Sequence, residues 1–370
     1  MQLPAWIMIC FMLALQGTPA RTKVPEPKIP YEPMFYVCHK AQAALSVDGI
    51  LNEPSWRKAR WTERFVDIEG SIRPRPGFST RVKMVWDDEY FYIGAELEEP
   101  HVWATLKERD SIIFNDNDFE VFIDPDGDTH NYFELEINAL NTVWDLLLVK
   151  PYRDGGPAVH AWDIQGLKTA VAVNGTLNDP TDKDKGWTVE IAIPLAVIRE
   201  GLPGKKMPEP RDIWRVNFSR VEYRVQVESG SYVKAKDPKN GLPYPEDNWV
   251  WSPQGVINIH YPEMWGLVQF TETTVGKKNE LFWEDFDEPV KWALRAIYYE
   301  EWAYRAAHGS FTPDLGAIGF HADKIVDWDY PPRVQTTESL FEAVYKNGEG
   351  KSWHIRQDGL LWKESAEKKE

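Results

Sequence analysis

The sequence predicts a mainly β protein: an antiparallel two-sheet β-sandwich with a jelly-roll-like arrangement, followed by a C-terminal helix and a small antiparallel sheet. Short segments alternate apolar and polar residues over about 40–272, turn residues separate them, and helical spacing is convincing only near the C terminus. Because successive side chains of a strand point to opposite faces, this alternation predicts half-buried strands. Eight or more such strands are typical of a sandwich.

The first elements follow from residues 44–99. Leu45 and Val47 predict the beginning of a strand, which ends at the turn pair Asp48-Gly49, and a short turn then leads to Trp56. Residues 80–99 predict a hairpin with its turn at 87–89. Its inward side chains are expected to be the alternating apolar ones, Val82, Met84, Trp86, Phe91, Ile93, Ala95 and Leu97.

The rest of the sandwich is predicted from further alternating segments. They are 118–125, 131–140, 142–149, 186–195, 214–223, 249–255 and 265–270. The proline- and glycine-containing segment 234–248 predicts a loop that is long enough to be functional.

The C-terminal unit is predicted to be α+β. Residues 287–309 predict a helix that begins at Asp287 and Pro289 and ends at Gly309, with apolar residues on two faces. Residues 339–363 predict a three-stranded meander. We therefore place the sandwich at 36–275 and the C-terminal unit at 280–370.

The N terminus predicts export. Residues 1–20 resemble a secretory signal peptide, with an apolar run at 5–15 that is too short to span a bilayer, and residues 21–35 form a proline-rich leader. No other stretch reaches transmembrane length. After cleavage only Cys38 remains, which excludes an internal disulfide.

Composition and missing motifs exclude several functions. A net charge of −16 argues against nucleic acid and against an anionic membrane as partners. The sequence has no zinc spacing of His or Cys, no G-x-S-x-G, no G-x-G-x-x-G and no Walker loop. The 58 acidic residues leave a glycosidase-type carboxylate pair open. Eighteen Trp are an excess of flat rings, which can stack on sugars, although most are expected to be structural.

Several motifs occur in one order along the chain. They are VDGILNEPSW (47–56), VKMVWDDEYFYIGAELEEP (82–100), NDNDFEVFIDPDGDTHNYFELEIN (115–138), GWTVEIAIP (186–194) and WSP…WG (251–266). Together they resemble the family 9 carbohydrate-binding modules and their larger bacterial relatives, over about 40–272. The resemblance implies a sugar-binding sandwich that lacks catalytic residues. With the signal peptide, it implies a location in the periplasm, on the outer surface or outside a bacterium.

The resemblance also implies where sugar binds. The family clamps sugar between two Trp, and these positions fall on Phe114 and on Ile259 or His260. The family's sugar-binding Glu corresponds to Glu120, whereas Glu136 stands where a basic residue is expected. The ligand is therefore expected to differ from that of the xylanase-attached modules.

A carbohydrate site needs an exposed ring beside hydrogen-bonding groups. We expect the segments 101–118, 141–153 and 243–262 to meet at a concave face or a loop end of the sandwich. The candidate residues are Trp103, Phe114, Asn117, Glu120, Trp144, Trp249 and His260. The alternative is that the Asn/Asp residues at 115–118 simply form a turn.

A structural calcium site is a further expectation. Asp124, Asp126 and Asp128 space carboxylates at alternate positions around a glycine turn, as Ca²⁺ requires. The twelfth position of an EF-hand loop would be Leu135, so that motif is incomplete. An acidic hairpin turn without metal is the alternative.

The sequence thus predicts an exported, non-catalytic carbohydrate-binding protein that takes part in carbohydrate catabolism, in association with glycan-degrading enzymes. Two alternatives stay open. One is a glycoside hydrolase or a hydrolase-associated module. The other is a haem-binding electron-transfer domain of the same fold, with Met84 and a His as iron ligands, although Met84 alternates inward and is expected in the core.

Overall fold

The computed structural model describes residues 23–278, 280–321 and 323–364, so the predicted signal peptide lies outside the described residues. The helices are α1 (Pro54–Lys58), α2 (Leu195–Ile198) and α3 (Glu288–His308). The strands are β1 (Phe35–Lys40), β2 (Val66–Asp67), β3 (Thr80–Trp86), β4 (Tyr90–Glu98), β5 (Asp118–Asp124), β6 (Tyr132–Asn138), β7 (Val143–Leu148), β8 (Ala158–Val159), β9 (Lys168–Asn174), β10 (Gly186–Pro194), β11 (Ile213–Glu222), β12 (Val225–Glu228), β13 (Ser231–Lys234), β14 (Asp247–Val250), β15 (Gly266–Thr274), β16 (Arg333–Thr336), β17 (Phe341–Lys346), β18 (Ser352–Arg356) and β19 (Leu361–Glu364).

The predicted β-sandwich is confirmed, with one difference in pairing. The strands follow the order β8-β7-β6-β5-β11-β15-β1-β3-β4-β10-β9, and β14 adds to β11 and β2. The inner faces of the two halves of this path enclose one hydrophobic core. Strand β1 pairs in parallel with both β15 and β3, so it joins the halves that the sequence predicted as separate antiparallel sheets.

Side-chain alternation places the core as predicted. All seven apolar side chains expected to point inward from β3 and β4 belong to the main core. The same holds for Phe119, Val121 and Ile123 of β5, and for Phe133, Leu135 and Ile137 of β6. Because a strand has a period of two residues, the intervening side chains of β5 and β6 lie on the opposite, outer face.

The predicted strand at Leu45 and Val47 is wrong, because this segment is a loop. The Glu190 carboxylate accepts hydrogen bonds from the backbone N–H groups of Asp48 and Gly49 and from the Trp56 indole. Backbone donors that a strand would give to a neighbouring strand are therefore taken by a side chain. Gly49 has a φ of +84°, a conformation that favours glycine.

The C-terminal unit is a helix packed on a small sheet, as predicted. Helix α3 begins after Asp287 and ends at Gly309, which adopts the left-handed conformation. The sheet has the order β16-β17-β18-β19, one strand more than predicted. Strand β16 was missed because Arg333–Thr336 contains only one large apolar residue, Val334. Among the described residues, no helix has both the length and the apolar character needed to cross a bilayer.

The proline-rich leader packs against the C-terminal unit. Val24 is buried in a second core that also contains side chains from 256–264 and from α3. The ring of Tyr31 stacks on Trp292 at 4.2 Å, and its hydroxyl donates to Glu288 at 2.5 Å. Since this core takes residues from both ends of the chain, the proposed division at 275–280 stays a prediction.

An ion pair and a hydrogen bond to a second, buried ion pair hold the C-terminal unit against the sandwich. Arg215 on β11 donates to Glu288 of α3 at 2.9 Å. Arg153 donates to both carboxylate oxygens of Glu263, at 2.7 and 2.8 Å, and the Tyr299 hydroxyl also donates to Glu263. Both carboxylates thus have a guanidinium partner inside the protein.

Candidate functional site

The outer face of β5, β6, β7 and β11 carries two rows of side chains that run across the strands. The first row is Ser219, Glu120, Glu136 and Trp144, and the second is Asn217, Phe122, Glu134 and Leu146. Directly opposite side chains on neighbouring strands have Cβ atoms about 5 Å apart. The register therefore brings Glu120, Glu134 and Glu136 into one patch beside the Trp144 ring.

Four buried carboxylates form this patch, and we call Asp118, Glu120, Glu134 and Glu136 the acidic cluster. Asp118, Glu120 and Glu136 each offer an oxygen that lies within 4.8 Å of the other two. Glu136 accepts the backbone N–H of Phe114 at 2.9 Å, and Asp118 accepts that of Val221 at 3.1 Å. Within the described part of the chain, no Lys, Arg or His lies within 4.0 Å of these carboxylates as an ion-pair partner.

Burial without a cationic partner changes the protonation of the cluster. Burial raises the pKa of Glu120 to about 7. Burial, with the charge of Glu120 added, raises the pKa of Glu134 to about 8. The same two causes raise the pKa values of Asp118 and Glu136 well above the ordinary range. Near neutral pH the cluster therefore shares protons, and it can both donate and accept hydrogen bonds.

Exposed aromatic rings border the acidic cluster. Phe114 is 41% exposed, and its ring lies 6.3 Å from that of Trp144. Tyr152 is 48% exposed, and Glu134 and Glu136 are close enough to add to the effect of burial, which raises the pKa of its hydroxyl to about 12. Tyr152 lies in the predicted segment 141–153, but sequence reasoning did not single it out. The arrangement offers flat faces next to polar groups, as a sugar requires.

His260 lies at the edge of this face, next to Tyr132 and Tyr152. Its Nδ1 lies 2.9 Å from the Tyr132 hydroxyl, and its ring meets Tyr152 edge-on at 4.7 Å. Burial, together with the charge of Arg153, lowers the His260 pKa to about 3, so the imidazole is neutral. Of the predicted site residues, the fold thus brings Phe114, Glu120, Trp144 and His260 to one face.

The other three predicted residues lie elsewhere. Trp103 is 4% exposed and packs with Val221 and Tyr223, whereas Trp249 is 5% exposed and belongs to the main core. Asn117 donates to Glu99 at 3.2 Å and accepts the backbone N–H of Tyr223 at 2.7 Å. None of the three offers a free face or a free amide, and their part in ligand binding stays a prediction.

Two members of the cluster could have been singled out from the sequence. The alternation that places Phe133, Leu135 and Ile137 in the core places Glu134 and Glu136 on the outer face of the same strand. Two acidic residues at adjacent outward positions of one strand repel each other, and this repulsion destabilises the folded state unless a ligand or a proton offsets it. The two-residue spacing of Glu134 and Glu136 is therefore the feature of the sequence that indicates a binding face on this strand.

The aspartates proposed for calcium form a second group of carboxylates. Asp124, Asp126 and Asp128 bring oxygens within 4.8 Å of one another in the loop after β5. Asp124 also accepts the backbone N–H groups of Gly127 and Thr129. Burial raises the pKa of Asp124 to about 6. Burial, with the charges of neighbouring aspartates added, raises the pKa of Asp126 to about 9 and of Asp128 to about 7. This all-oxygen set fits Ca²⁺, although the metal stays a prediction.

Comparison with known proteins finds a family match over part of the chain. Residues 47–209 match the carbohydrate family 9 binding domain-like family. A family 9 carbohydrate-binding module from Caldicellulosiruptor kristjanssonii, solved with cellotriose, is similar at 16% identity and a TM-score of 0.42, covering 66% of this chain and 99% of the module. The same organism's module with glucose has 16% identity and a TM-score of 0.41, covering 66% and 99%. A proposed carbohydrate-binding protein from Bacteroides uniformis has 15% identity and a TM-score of 0.46, covering 65% of this chain and 100% of its own.

No curated protein matches the chain. The family match covers the opening motif at 47–56, the β3–β4 hairpin and the strands β5 and β6 that carry the acidic cluster. The resemblance predicted from these motifs is confirmed. Residues 47–209 are similar to the carbohydrate family 9 binding domain-like family.

Proposed function

We propose that this is an exported, non-catalytic protein that binds a carbohydrate and acts in glycan breakdown. The observation that carries the proposal is the exposed ring of Phe114 beside the acidic cluster, within the part of the chain that matches the family. The ring supplies a stacking surface for the apolar face of a pyranose. The partly protonated carboxylates supply hydrogen bonds to its hydroxyls.

The same geometry favours one class of sugar. A uronate or a sulfated glycan would bring negative charge next to four carboxylates that lack cationic partners, which is unfavourable. The net charge of −16 adds to that repulsion at longer range. A neutral oligosaccharide, or one that carries an amino group, is therefore the proposed ligand.

The proposed setting rests on the sequence. The signal peptide predicted at 1–20 supports export to the periplasm, outer surface or exterior of a bacterium. Export fits a role beside glycan-degrading enzymes, which we include in the proposal. A calcium ion at Asp124, Asp126 and Asp128 is proposed as a structural element of the loop, where it would neutralise three neighbouring carboxylates.

A glycan array tests carbohydrate binding, with the affinity then measured by titration calorimetry. For the best glycan, Phe114→Ala should weaken binding by roughly ten- to a hundred-fold, the usual contribution of one stacking ring. Phe286→Ala is the matched control, because Phe286 is also exposed but lies far along the chain, before α3. An array without any bound glycan, or equal affinities for both variants, would contradict the proposal.

Glycoside hydrolysis is a second candidate, and the raised pKa values of Glu120 and Glu134 favour it. Two neighbouring carboxyl groups that titrate near neutral pH are what an acid–base pair needs. Release of reducing ends from a glycan panel by the wild type, abolished in Glu134→Gln, would support hydrolysis. No release from any glycan that binds would reject it. The haem-binding alternative has no support at Met84, because this side chain, its proposed iron ligand, lies in the main core.

A further inference from the structure

Asp118 is a fully buried carboxylate of the acidic cluster, and only one of its two oxygens has a hydrogen-bond partner among the described residues. It is 0% exposed, and its Oδ1 accepts the Val221 backbone N–H at 3.1 Å. Its second oxygen, Oδ2, is also buried and has no hydrogen-bond partner among the described residues. A buried acceptor without a hydrogen-bond partner destabilises the folded protein, and a ligand bound to this oxygen would remove that cost.

The neighbouring groups restrict the kind of ligand. Glu120 and Glu136 each place an oxygen within 4.8 Å of one from Asp118. Oxygens that share one Ca²⁺ ion at 2.3–2.6 Å lie at most about 5 Å from one another. No nitrogen or sulfur side chain takes part, so the set suits a hard cation.

We propose that Asp118, Glu120 and Glu136 bind a hard divalent cation, with Ca²⁺ as the best fit. The cation supplies the positive charge that no Lys or Arg gives these carboxylates. It also gives Asp118 Oδ2 its missing partner. With the cation bound, the three neighbouring carboxylates share one positive centre, which offsets the cost of burying their charges.

This site is separate from the loop that holds Asp124, Asp126 and Asp128. The loop aspartates direct oxygens to backbone N–H groups at 2.6–3.4 Å, and none of their oxygens is buried without a partner. The acidic cluster instead lies on the face of the sheet, where Glu136 accepts the N–H of the exposed Phe114. A cation here has positions left for the hydroxyls of a sugar stacked on Phe114. Because four carboxylates outweigh the two positive charges of one Ca²⁺, the proposed preference for a neutral sugar is unchanged. That last step rests on the proposed function, whereas cation binding itself does not.

Calorimetric titration of the full chain with Ca²⁺ alone, after removal of metals with a chelator, tests the site. The wild type is expected to bind Ca²⁺. Glu136→Gln and Asp118→Asn should each bind one ion fewer per chain than the wild type, whereas Glu349→Gln, which changes an exposed carboxylate outside both groups, should bind as many ions as the wild type. Asp126→Asn should lose only the ion proposed for the loop, and a variant that combines Asp126→Asn with Glu136→Gln should lose one ion more than either single variant. A melting temperature that rises with Ca²⁺ equally in the wild type and in Glu349→Gln, but less in Glu136→Gln, gives the same answer independently.

Two results would overturn the inference. One is a wild type that binds no Ca²⁺, which means that protons alone neutralise the cluster. The other is full Ca²⁺ stoichiometry in a folded Glu136→Gln, with loss only in Asp126→Asn. Because no glycan is present, either result leaves the proposed carbohydrate binding untouched. Failure of the glycan array would in turn leave the cation site untouched.

Discussion

The protein buries carboxylates in two regions, and their pKa values are lowered in one region and raised in the other. At the interface with the C-terminal unit, burial by itself would raise the pKa of Glu263, but the guanidinium groups of Arg153 and Arg295 lower it to about 2. Burial likewise opposes ionisation of Glu288, yet Arg215 and Lys291 lower its pKa to about 2. In the acidic cluster, burial acts without such partners, and the pKa of Glu134 rises to about 8.

The difference separates structural charge from charge that is available to a ligand. A carboxylate paired with a buried guanidinium has its hydrogen-bonding capacity used inside the protein, and its role is to hold two parts of the fold together. A buried carboxylate without a cation destabilises the folded state and needs an external partner or a proton. The carboxylates of the acidic cluster are of the second kind and lie beside the exposed ring of Phe114, which is why we assign ligand binding to that face.

Breaking the interface pair should have the largest effect on stability. Arg153→Met removes the guanidinium that is hydrogen-bonded to the buried Glu263, and breaking a buried ion pair in this way typically costs about 3–5 kcal/mol of unfolding free energy. Urea denaturation measures it. Lys351→Met is the control, because the exposed pair of Lys351 and Glu349 should contribute at most about 1 kcal/mol. A similar small change in both variants would mean that the interface pair does not hold the fold together.

Removing a core Trp should cost about as much stability without touching the site. Trp249→Ala and Trp103→Ala are expected to lower the unfolding free energy by about 3–5 kcal/mol, because both rings are buried. Phe114→Ala should lower it by at most about 1 kcal/mol, since that ring is half exposed. Melting temperatures and glycan affinities are measured on the same samples. Normal melting with lost affinity in the two Trp variants would place sugar at those rings instead.

The pH dependence of stability should have two arms of opposite sign. Because the folded-state pKa values of Glu120 and Glu134 are raised to about 7 and 8, their favourable contribution is complete below about pH 4.5 and is lost as the pH rises towards 8. Glu263 and Glu288 have lowered pKa values of about 2, so their contribution is present above about pH 4.5 and is lost as the pH falls towards 2.

Glu134→Gln separates these arms. It should raise the unfolding free energy at pH 8 and flatten the decline between pH 5 and 8, because the Gln amide does not ionise. The loss of stability below pH 4 should stay as in the wild type. Urea denaturation across this pH range in metal-free buffer is the measurement. An unchanged slope above pH 5 would show that Glu134 is not raised by its neighbours.

Local pattern predicted the fold well because the relevant physics is local. The period of two residues in β3 to β6 places Phe91 and Ile137 in the core whatever the surroundings. The loop at Leu45 and Val47 was mistaken for a strand, because the carboxylate that captures its N–H groups, Glu190, lies more than 140 residues away. The exposure of a ring is equally non-local. Nothing near Trp103 in the sequence shows that Val221 and Tyr223 cover it, whereas the cluster of Glu120, Glu134 and Glu136 follows from register alone.

Mapping of the glycan on the protein by NMR tests the assignment of the site most directly. The backbone amide of Phe114 and the indole N–H of Trp144 report on the acidic cluster, while the indoles of Trp103 and Trp249 report on the buried rings. On titration with the glycan that binds best, the signals of Phe114 and Trp144 should shift and those of Trp103 and Trp249 should stay in place. Shifts at Trp103 or Trp249, with the Phe114 amide unchanged, would contradict the account.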